Sequence, residues 1–295
     1  MFYVLSGYQF TKMNNHPLEF MYITNNPVVA KSADELGVKR VWIDLETLGK
    51  EERQKGMNTV KSQHALSDIS AIKPVLCNSE LLVRVNPINS GSAKEIDEAI
   101  SRGADMLMLP MFKTASEVEA FLNLTKKRNV KTTLLFETKE AIRLLPELLK
   151  KGGFDEMHIG LNDLHLSLGL TFMFELLPNG IVEDICHTVS KYHIPYGFGG
   201  IAKIGEGLLP AEKIIAEHFR LGSTRAILSR SFCDNKFENY ESWRQEFKTG
   251  IEQIRSYESW LSDKTERFFA ENKKDVATCV QKVVQLIKAK QNNNG

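Results

Sequence analysis

The sequence has almost no net charge: 38 lysines and arginines against 37 aspartates and glutamates leave +1. No global field therefore draws the chain to nucleic acid or to an anionic lipid surface. It lacks a continuous apolar run of membrane-spanning length, so no membrane association is expected. The opening MFYVLSGYQFTKMNN lacks the basic start, unbroken apolar stretch and small-residue cleavage site of a signal peptide, which points to a cytoplasmic protein. Cysteine is sparse. Cys77, Cys186, Cys233 and Cys279 form no CxxC, so reduced thiols are expected rather than a disulfide framework or a zinc site. Glycine is missing from TNNPVVAKSA after the first apolar run, where an open nucleotide-binding sheet would place its phosphate loop. His158, His165, His187, His193 and His218 show no metal-ligand spacing and read as structural.

What is present is alternation. Eight runs of strand length occur at 18–25, 38–46, 81–86, 105–110, 130–137, 156–161, 194–200 and 224–229. Between them lie amphipathic segments such as SAKEIDEAISRG and TKEAIRLLPELLKKGG, several opening on Ser or Thr and closing on Gly or Asn, as helices do. Strands apolar enough to be buried on both faces, each followed by a helix, predict an α/β fold: a closed (β/α)8 TIM barrel. The expected organisation is an N-terminal extension over 1–17, the barrel over 18–260, and a C-terminal helical extension over 261–295. In that last part Tyr240, Trp243, Phe247, Ile251 and Ile254 form one helical stripe, and Val276, Val280, Val283 and Ile287 a second. The second stripe needs a cover, from its own barrel or a neighbouring subunit, and the tail KQNNNG is expected to fray.

The ends of parallel barrel strands open on one mouth, where such barrels keep their chemistry. The predicted strands deliver Asp44, Glu46, Arg84, Pro110, Glu137, Asp163, Gly199, Gly200, Ser229 and Arg230 there. Glu137 and Asp163, with no His or Cys beside them, suit a hard divalent cation such as Mg²⁺ or Mn²⁺. Arg84 offers a cation for an anionic ligand, and the turn Gly160–Leu161–Asn162 offers backbone N–H groups. Each residue also has a plainer reading. Asp163 serves equally as a helix cap, Glu137 as an acceptor for N–H groups of the next helix, and Arg84 as a buried ion-pair partner. Asp44 and Glu46 alternate in IDLE and so point the same way. His64 lies on a helix or loop. Lys113 is the one lysine considered for a Schiff base.

These segments resemble the HpcH/HpaI aldolase and citrate lyase β-subunit family. IDLE, LLVRVNP, GADMLMLPMFKTASEVEAF, LLFETKEAIRLLPELLKKGGFDEMHIGLNDLHLSLGL and FGGIAK occur in the family's order. Glu137 and Asp163 stand 26 positions apart, as the family's metal-binding carboxylates do. The resemblance implies a (β/α)8 barrel that binds Mg²⁺, Mn²⁺ or Co²⁺ through Glu137 and Asp163. A 2-keto acid such as pyruvate would chelate the ion, while Arg84 holds the keto oxygen and stabilises the enolate. It also implies a homo-oligomer, as dimers or trimers of dimers, exchanging a C-terminal helix.

The departures are specific. Thr47 and Ser101 stand where the aldolase branch has its His and Asp base dyad, and Leu161 replaces a proline of the family. Asp44-Leu45-Glu46-Thr47 is nearer the DLED of the citrate lyase branch. The expected activity is a metal-dependent carbon–carbon lyase on a 2-keto acid, with Arg84, Glu46 and Asp44 as catalytic residues. The alternatives are a citrate-lyase-like enzyme for an acyl-CoA and a non-catalytic barrel that keeps the site. Loops 47–64 and 165–180 are expected to set specificity.

Overall fold

The computed structural model describes residues 17–49, 64–229, 232–233 and 237–293. Eight strands, each paired in parallel with the next and β8 with β1, close into a barrel in sequence order. They are β1 (Glu19–Ile23), β2 (Arg40–Asp44), β3 (Glu80–Arg84), β4 (Met106–Leu109), β5 (Lys131–Phe136), β6 (Glu156–Ile159), β7 (Tyr196–Ile201) and β8 (Arg225–Leu228). All eight expected strands exist, a few residues shorter than their apolar runs. The sixth ends early because Gly160 is the N-cap of the next helix and Leu161 its first residue.

Around the barrel stand α1 (Pro27–Glu35), α2 (Leu66–Ile72), α3 (Ser92–Ser101), α4 (Ala115–Thr125), α5 (Lys139–Lys151), α6 (Leu161–Ser167), α7 (Ile181–Ser190) and α8 (Ala211–Arg220). Their starts follow local chemistry. Asn26 caps α1 with Pro27 in its first turn, where the missing N–H of proline costs nothing. Thr114 and Glu117 form a capping box on α4. The glycine-free turn is therefore a helix N-terminus rather than a phosphate loop.

Period-2 alternation splits the first five strands between two cores. Outward residues such as Phe20, Val41, Ile43, Leu81, Val83, Leu107, Leu134 and Phe198 join the helices in one large apolar cluster. Inward residues Met21, Trp42, Leu82, Met106, Met108 and Leu135 fill the barrel lumen. Six strands begin on an ionic residue of that same inward parity: Glu19, Arg40, Glu80, Lys131, Glu156 and Arg225. Arg40 contacts Glu80 at 3.2 Å, Glu156 at 3.1 Å and Glu19 at 3.6 Å, and Arg225 contacts Glu156 at 2.7 Å and Glu19 at 3.2 Å. Lys131 pairs with Glu80. Three acids and three bases thus close the N-terminal end of the lumen.

Two long helices follow, α9 (Tyr240–Ser262) and α10 (Glu266–Asn293). Trp243, Phe247, Ile251 and Ile254 of α9 are buried as their spacing predicts, with Tyr240 partly so. Val276, Val280 and Val283 of α10 are buried within this chain, where α10 packs on α8 and on a 3₁₀ turn, Met173–Leu176. Of the two expected covers, the chain's own barrel provides it. Glu183 of α7 fastens the layer, bonding Arg220 at 2.8 Å and Lys273 at 2.5 Å. Helix α10 continues to Asn293, carried by the good helix formers before it, and the last two residues of KQNNNG lie outside the described residues. Among the described residues, no helix is long and apolar enough to cross a membrane.

Candidate active site at the barrel mouth

The inward parity that places Arg40 and Glu80 at one end places Asp44 and Arg84 at the other, and the two are register partners. Their side chains form a two-bond fork. Arg84 Nε donates to Asp44 Oδ1 at 2.9 Å and Nη2 to Oδ2 at 2.9 Å, while Nη2 also lies 3.3 Å from Glu46 Oε2. The guanidinium sits over the Trp42 ring, 5.2 Å from its centroid, as planar cations favour. Burial alone would weaken its hold on the proton. Asp44 and Glu46, with Glu137 behind, more than offset that and keep Arg84 charged. Asp44 and Glu46 therefore both serve Arg84, and the ion-pair reading of this arginine holds together with its place in the mouth.

Asn86, two residues beyond Arg84, was not foreseen as part of the site. Its Oδ1 accepts from the N–H groups of Thr47 at 2.9 Å and Leu48 at 3.0 Å, and its Nδ2 donates to Leu45 O at 3.2 Å and Glu95 Oε1 at 2.7 Å. It thus clamps the backbone on both sides of Glu46. The inward parity it shares with Arg84 was the signal in the sequence.

Glu137 follows β5 and is buried. The helix after it takes no part in holding it. Instead Oε1 accepts from Met111 N–H at 3.0 Å, at the end of β4, where Met111 adopts φ +53°. Its other oxygen faces Gly160: a Cβ there would lie 2.9 Å from Oε2 and 2.8 Å from the Glu137 Cβ. Only glycine fits against this carboxylate. Asp163 stands in the first turn of α6, half-buried. Burial raises the Glu137 carboxyl well above the ordinary carboxylate range, Asp163 and Glu46 push the same way, and Arg84 and the Met111 N–H oppose them.

Of the turn proposed to bind an anion, Gly160 gives its N–H to Phe136 O at 3.0 Å. Leu161 is buried with its side chain against Gly199, and Asn162 is exposed. Thr47 bonds Asn86 through both N–H and hydroxyl. Ser101 ends α3 at the opposite end of the barrel, its Oγ on Glu98 O at 2.9 Å. Lys113 is exposed and gives its N–H to Glu117 in the α4 capping box. Ser229 donates its N–H to Ile201 O at 2.8 Å. Arg230 and residues 50–63 of the expected specificity loop lie outside the described residues.

Four carboxylates meet one guanidinium here. Among the described residues, Asp44 and Glu46 pair with Arg84, and Asp163 repels Glu137 beside Gly160. That donor set is all oxygen and short of positive charge, and it fits a hard divalent cation. No group of three His, Cys, Asp or Glu that could hold a metal occurs among the described residues. An ion here would complete its shell with water and ligand oxygens, as Mg²⁺ commonly does.

A closed parallel barrel with a carboxylate pair and a preset arginine at the C-terminal ends of its strands defines a class of barrel enzymes. Within that class the chain belongs to the HpcH/HpaI aldolase/citrate lyase family, whose profile matches residues 20–175. Among solved structures it is similar to an HpcH/HpaI aldolase/citrate lyase family protein from Burkholderia cenocepacia J2315. That likeness has TM-score 0.57 at 15% identity over 73% of this chain and 88% of the other. It is similar also to an HpcH/HpaI aldolase from Desulfitobacterium hafniense DCB-2, with TM-score 0.58 at 13% identity over 81% and 93%. The citrate synthase SbnG gives TM-score 0.56 at 14% identity over 73% and 86%. At these identities the likeness is one of fold. No curated protein matches the sequence.

Proposed function

We propose that this chain is a carbon–carbon lyase of the aldolase kind, acting on a 2-keto acid such as pyruvate, with Glu137 and Asp163 holding a divalent metal ion. The observation that carries the reading is the division of labour among the carboxylates. Asp44 and Glu46 are paired with Arg84, while Glu137 is buried against Gly160 with Asp163 close enough to raise its carboxyl, an arrangement that favours a cation. A divalent cation bound there supplies Lewis-acid polarisation of a carbonyl. Arg84 binds the keto oxygen and meets the charge that grows on it as an enolate forms. Its value lies in preorganisation, because Asp44, Glu46 and the Trp42 ring fix the guanidinium plane before any ligand arrives. Trp42, Leu82, Met108 and Leu135 floor the site and keep water from entering through the lumen. Asp44 and Glu46, beside the guanidinium, are the carboxylates placed to take up or return a proton.

A second reading is supported by Thr47 and Ser101. They carry no base, and within one chain they lie at opposite ends of the barrel. A barrel that binds an oxo-acid without turning it over follows if Asp44 and Glu46 cannot replace that base. The citrate-lyase-like alternative rests on the Asp44-Leu45-Glu46 segment alone.

The test is deuterium exchange at the pyruvate methyl group in D₂O with Mg²⁺ or Co²⁺, read by NMR. Exchange that needs the ion and is lost in Asp163→Ala and Glu137→Ala is the expected result. Arg84→Lys should bind the ion normally but slow exchange about 100-fold, since a point charge cannot reproduce the guanidinium fork. Ion binding without exchange would favour the non-catalytic barrel, and wild-type ion affinity in both alanine variants would remove the site.

A further inference from the structure

Just past the register pair of Asp44 and Arg84, Leu45 N–H donates to Arg84 O at 2.9 Å. A continued parallel ladder would next use the N–H and C=O of Asn86. The side-chain amide takes their place. Asn86 Nδ2 donates to Leu45 O at 3.2 Å, and its Oδ1 accepts from Thr47 N–H at 2.9 Å. The backbone N–H of Asn86 turns instead to Glu95 Oε1, at 3.2 Å, in the first turn of α3. The sequence gives a reason: Pro87 biases the residue before it to extended backbone and has no N–H to carry the pairing on. Two further bonds, from Leu48 N–H at 3.0 Å and to Glu95 Oε1 at 2.7 Å, bring the amide to its full capacity. Both peptide groups flanking Glu46 are thereby held, and with them the direction of its side chain.

Arg84 depends on that direction. Its fork with Asp44 aligns the guanidinium with one carboxylate, but such a pair can swing as one body about the Asp44 side-chain bonds. Glu46 Oε2, 3.3 Å from Nη2, is a third point that stops the swing. The backbones beneath the two carboxylates are fastened by different side chains. Asp44 N–H donates to His64 Nδ1 at 3.0 Å, whereas Glu46 is gripped on both sides by Asn86.

We propose that Asn86, set in place by Glu95, is a positioning residue: through the backbone of Glu46 it aims the Arg84 guanidinium at the enolate oxygen. This rests on the keto-acid reading above. Neither Asn86 nor Glu95 needs to touch the ligand. Glu95 decides which way the amide faces. A carboxylate only accepts, so the NH₂ end turns to it and the oxygen to the N–H groups of Thr47 and Leu48. The chain of contacts thus runs from α3, on the outside of the barrel, through one side-chain amide to the guanidinium. Loosening it leaves the charge of Arg84 in the mouth and removes its aim. Charge alone still attracts a keto acid, whereas alignment matters most as the enolate forms, so rate should suffer more than binding.

The experiment is deuterium exchange into pyruvate with Mg²⁺ or Co²⁺, resolved into kcat and KM. It compares the wild type with Asn86→Ala, Asn86→Asp and Asn86→Asp/Glu95→Gln. Aspartate keeps an acceptor for Thr47 and Leu48 but sets a second carboxylate against Glu95; the Glu95→Gln change restores a donor there. In Asn86→Ala and Asn86→Asp kcat should fall about 10- to 100-fold, as when a reacting group shifts by up to about 1 Å. KM and divalent-ion affinity should change far less, and the double variant should regain much of the lost rate. Glu95→Ala leaves the strand residues untouched and serves if the Asn86 variants do not fold; it should lower kcat in the same sense. ¹⁵N NMR of the Arg84 guanidinium gives a readout independent of turnover: rotation about Nε–Cζ should quicken in Asn86→Ala. Exchange in the wild type with kcat unchanged in Asn86→Ala overturns the inference alone, as does a rotation rate indifferent to Asn86. A rise in KM without a fall in kcat overturns it too. A wild type that performs no exchange removes the keto-acid reading and this role with it.

Discussion

The two ends of this barrel are built from the same residue types and the same inward parity, yet they are balanced differently. At the N-terminal end three acids and three bases interlock, and Glu156 and Glu19 each join Arg40 to Arg225. At the C-terminal end, among the described residues, Asp44 and Glu46 pair with Arg84, and Glu137 feels both Arg84 and the opposing charge of Asp163. One end has its charges matched by the chain itself. At the other, among the described residues, carboxylates outnumber the one arginine. Ionic residues in a barrel lumen therefore say little by type; the local sum of charge separates a plug from a site.

Breaking the balanced end should produce the largest effect on stability. Glu156→Ala removes the more buried of the two carboxylates that bridge Arg40 and Arg225, which should cost about 3–5 kcal/mol. Urea unfolding measures this, and pyruvate exchange in the surviving folded fraction should persist. A stable but inactive variant would mean that the two ends are not separable.

The middle of the lumen offers a titration. His158 is buried on β6 between the two ends, and burial first, then Arg40 and Arg225, lower its pKa from 6.5 to about 4. As pH falls below 6.5 the unfolded chain takes up this proton before the folded one does. The stabilisation is thus complete above about pH 6.5 and is lost as pH falls through about 4. It should amount to about 3 kcal/mol. Unfolding free energies from pH 7 to 4 should drop more steeply for wild type than for His158→Gln. Equal slopes would show that the ring is not sealed from protons.

The smallest effect should have the opposite sign, at the unbalanced end. Glu137→Gln keeps an acceptor for the Met111 N–H and removes the repulsion toward Asp163. In ion-free buffer it should stabilise the protein by about 0.5–2 kcal/mol while divalent-ion binding, followed by calorimetry, is lost. A destabilised variant would show that the carboxylate charge is compensated already, and the contrast between the ends would fail.

Most of this architecture was legible in the sequence because each strand is an apolar run closed by turn or cap chemistry. The alternation within IDLE and LLVRVN also told which residues share a side. The strand-end placement of Asp44, Glu46, Arg84, Glu137 and Asp163 followed from that. What remained hidden depends on register and on the path of loops. Glu19, Arg40, Glu80, Lys131, Glu156 and Arg225 are each unremarkable first residues of strands, and only barrel closure brings Glu19 beside Arg225. The stripe on α10 announced a buried face without naming what buries it. The Met111 N–H on Glu137 and the His64 ring on Asp44 join a side chain to backbone far along the chain, and no periodicity encodes such bonds.

Glu137 divides its two oxygens between a strained turn and the open site. Oε1 holds Met111 in a left-handed conformation that a side-chain-bearing residue adopts only under constraint, and Oε2 faces Gly160. Any ligand that draws on the carboxylate must then alter the hold on the β4–α4 turn. By reciprocity, whatever relaxes that turn alters ligand affinity by the same factor. The loop after β4 is in this sense a gauge of occupancy: its opening rate in amide exchange should report whether the mouth is filled.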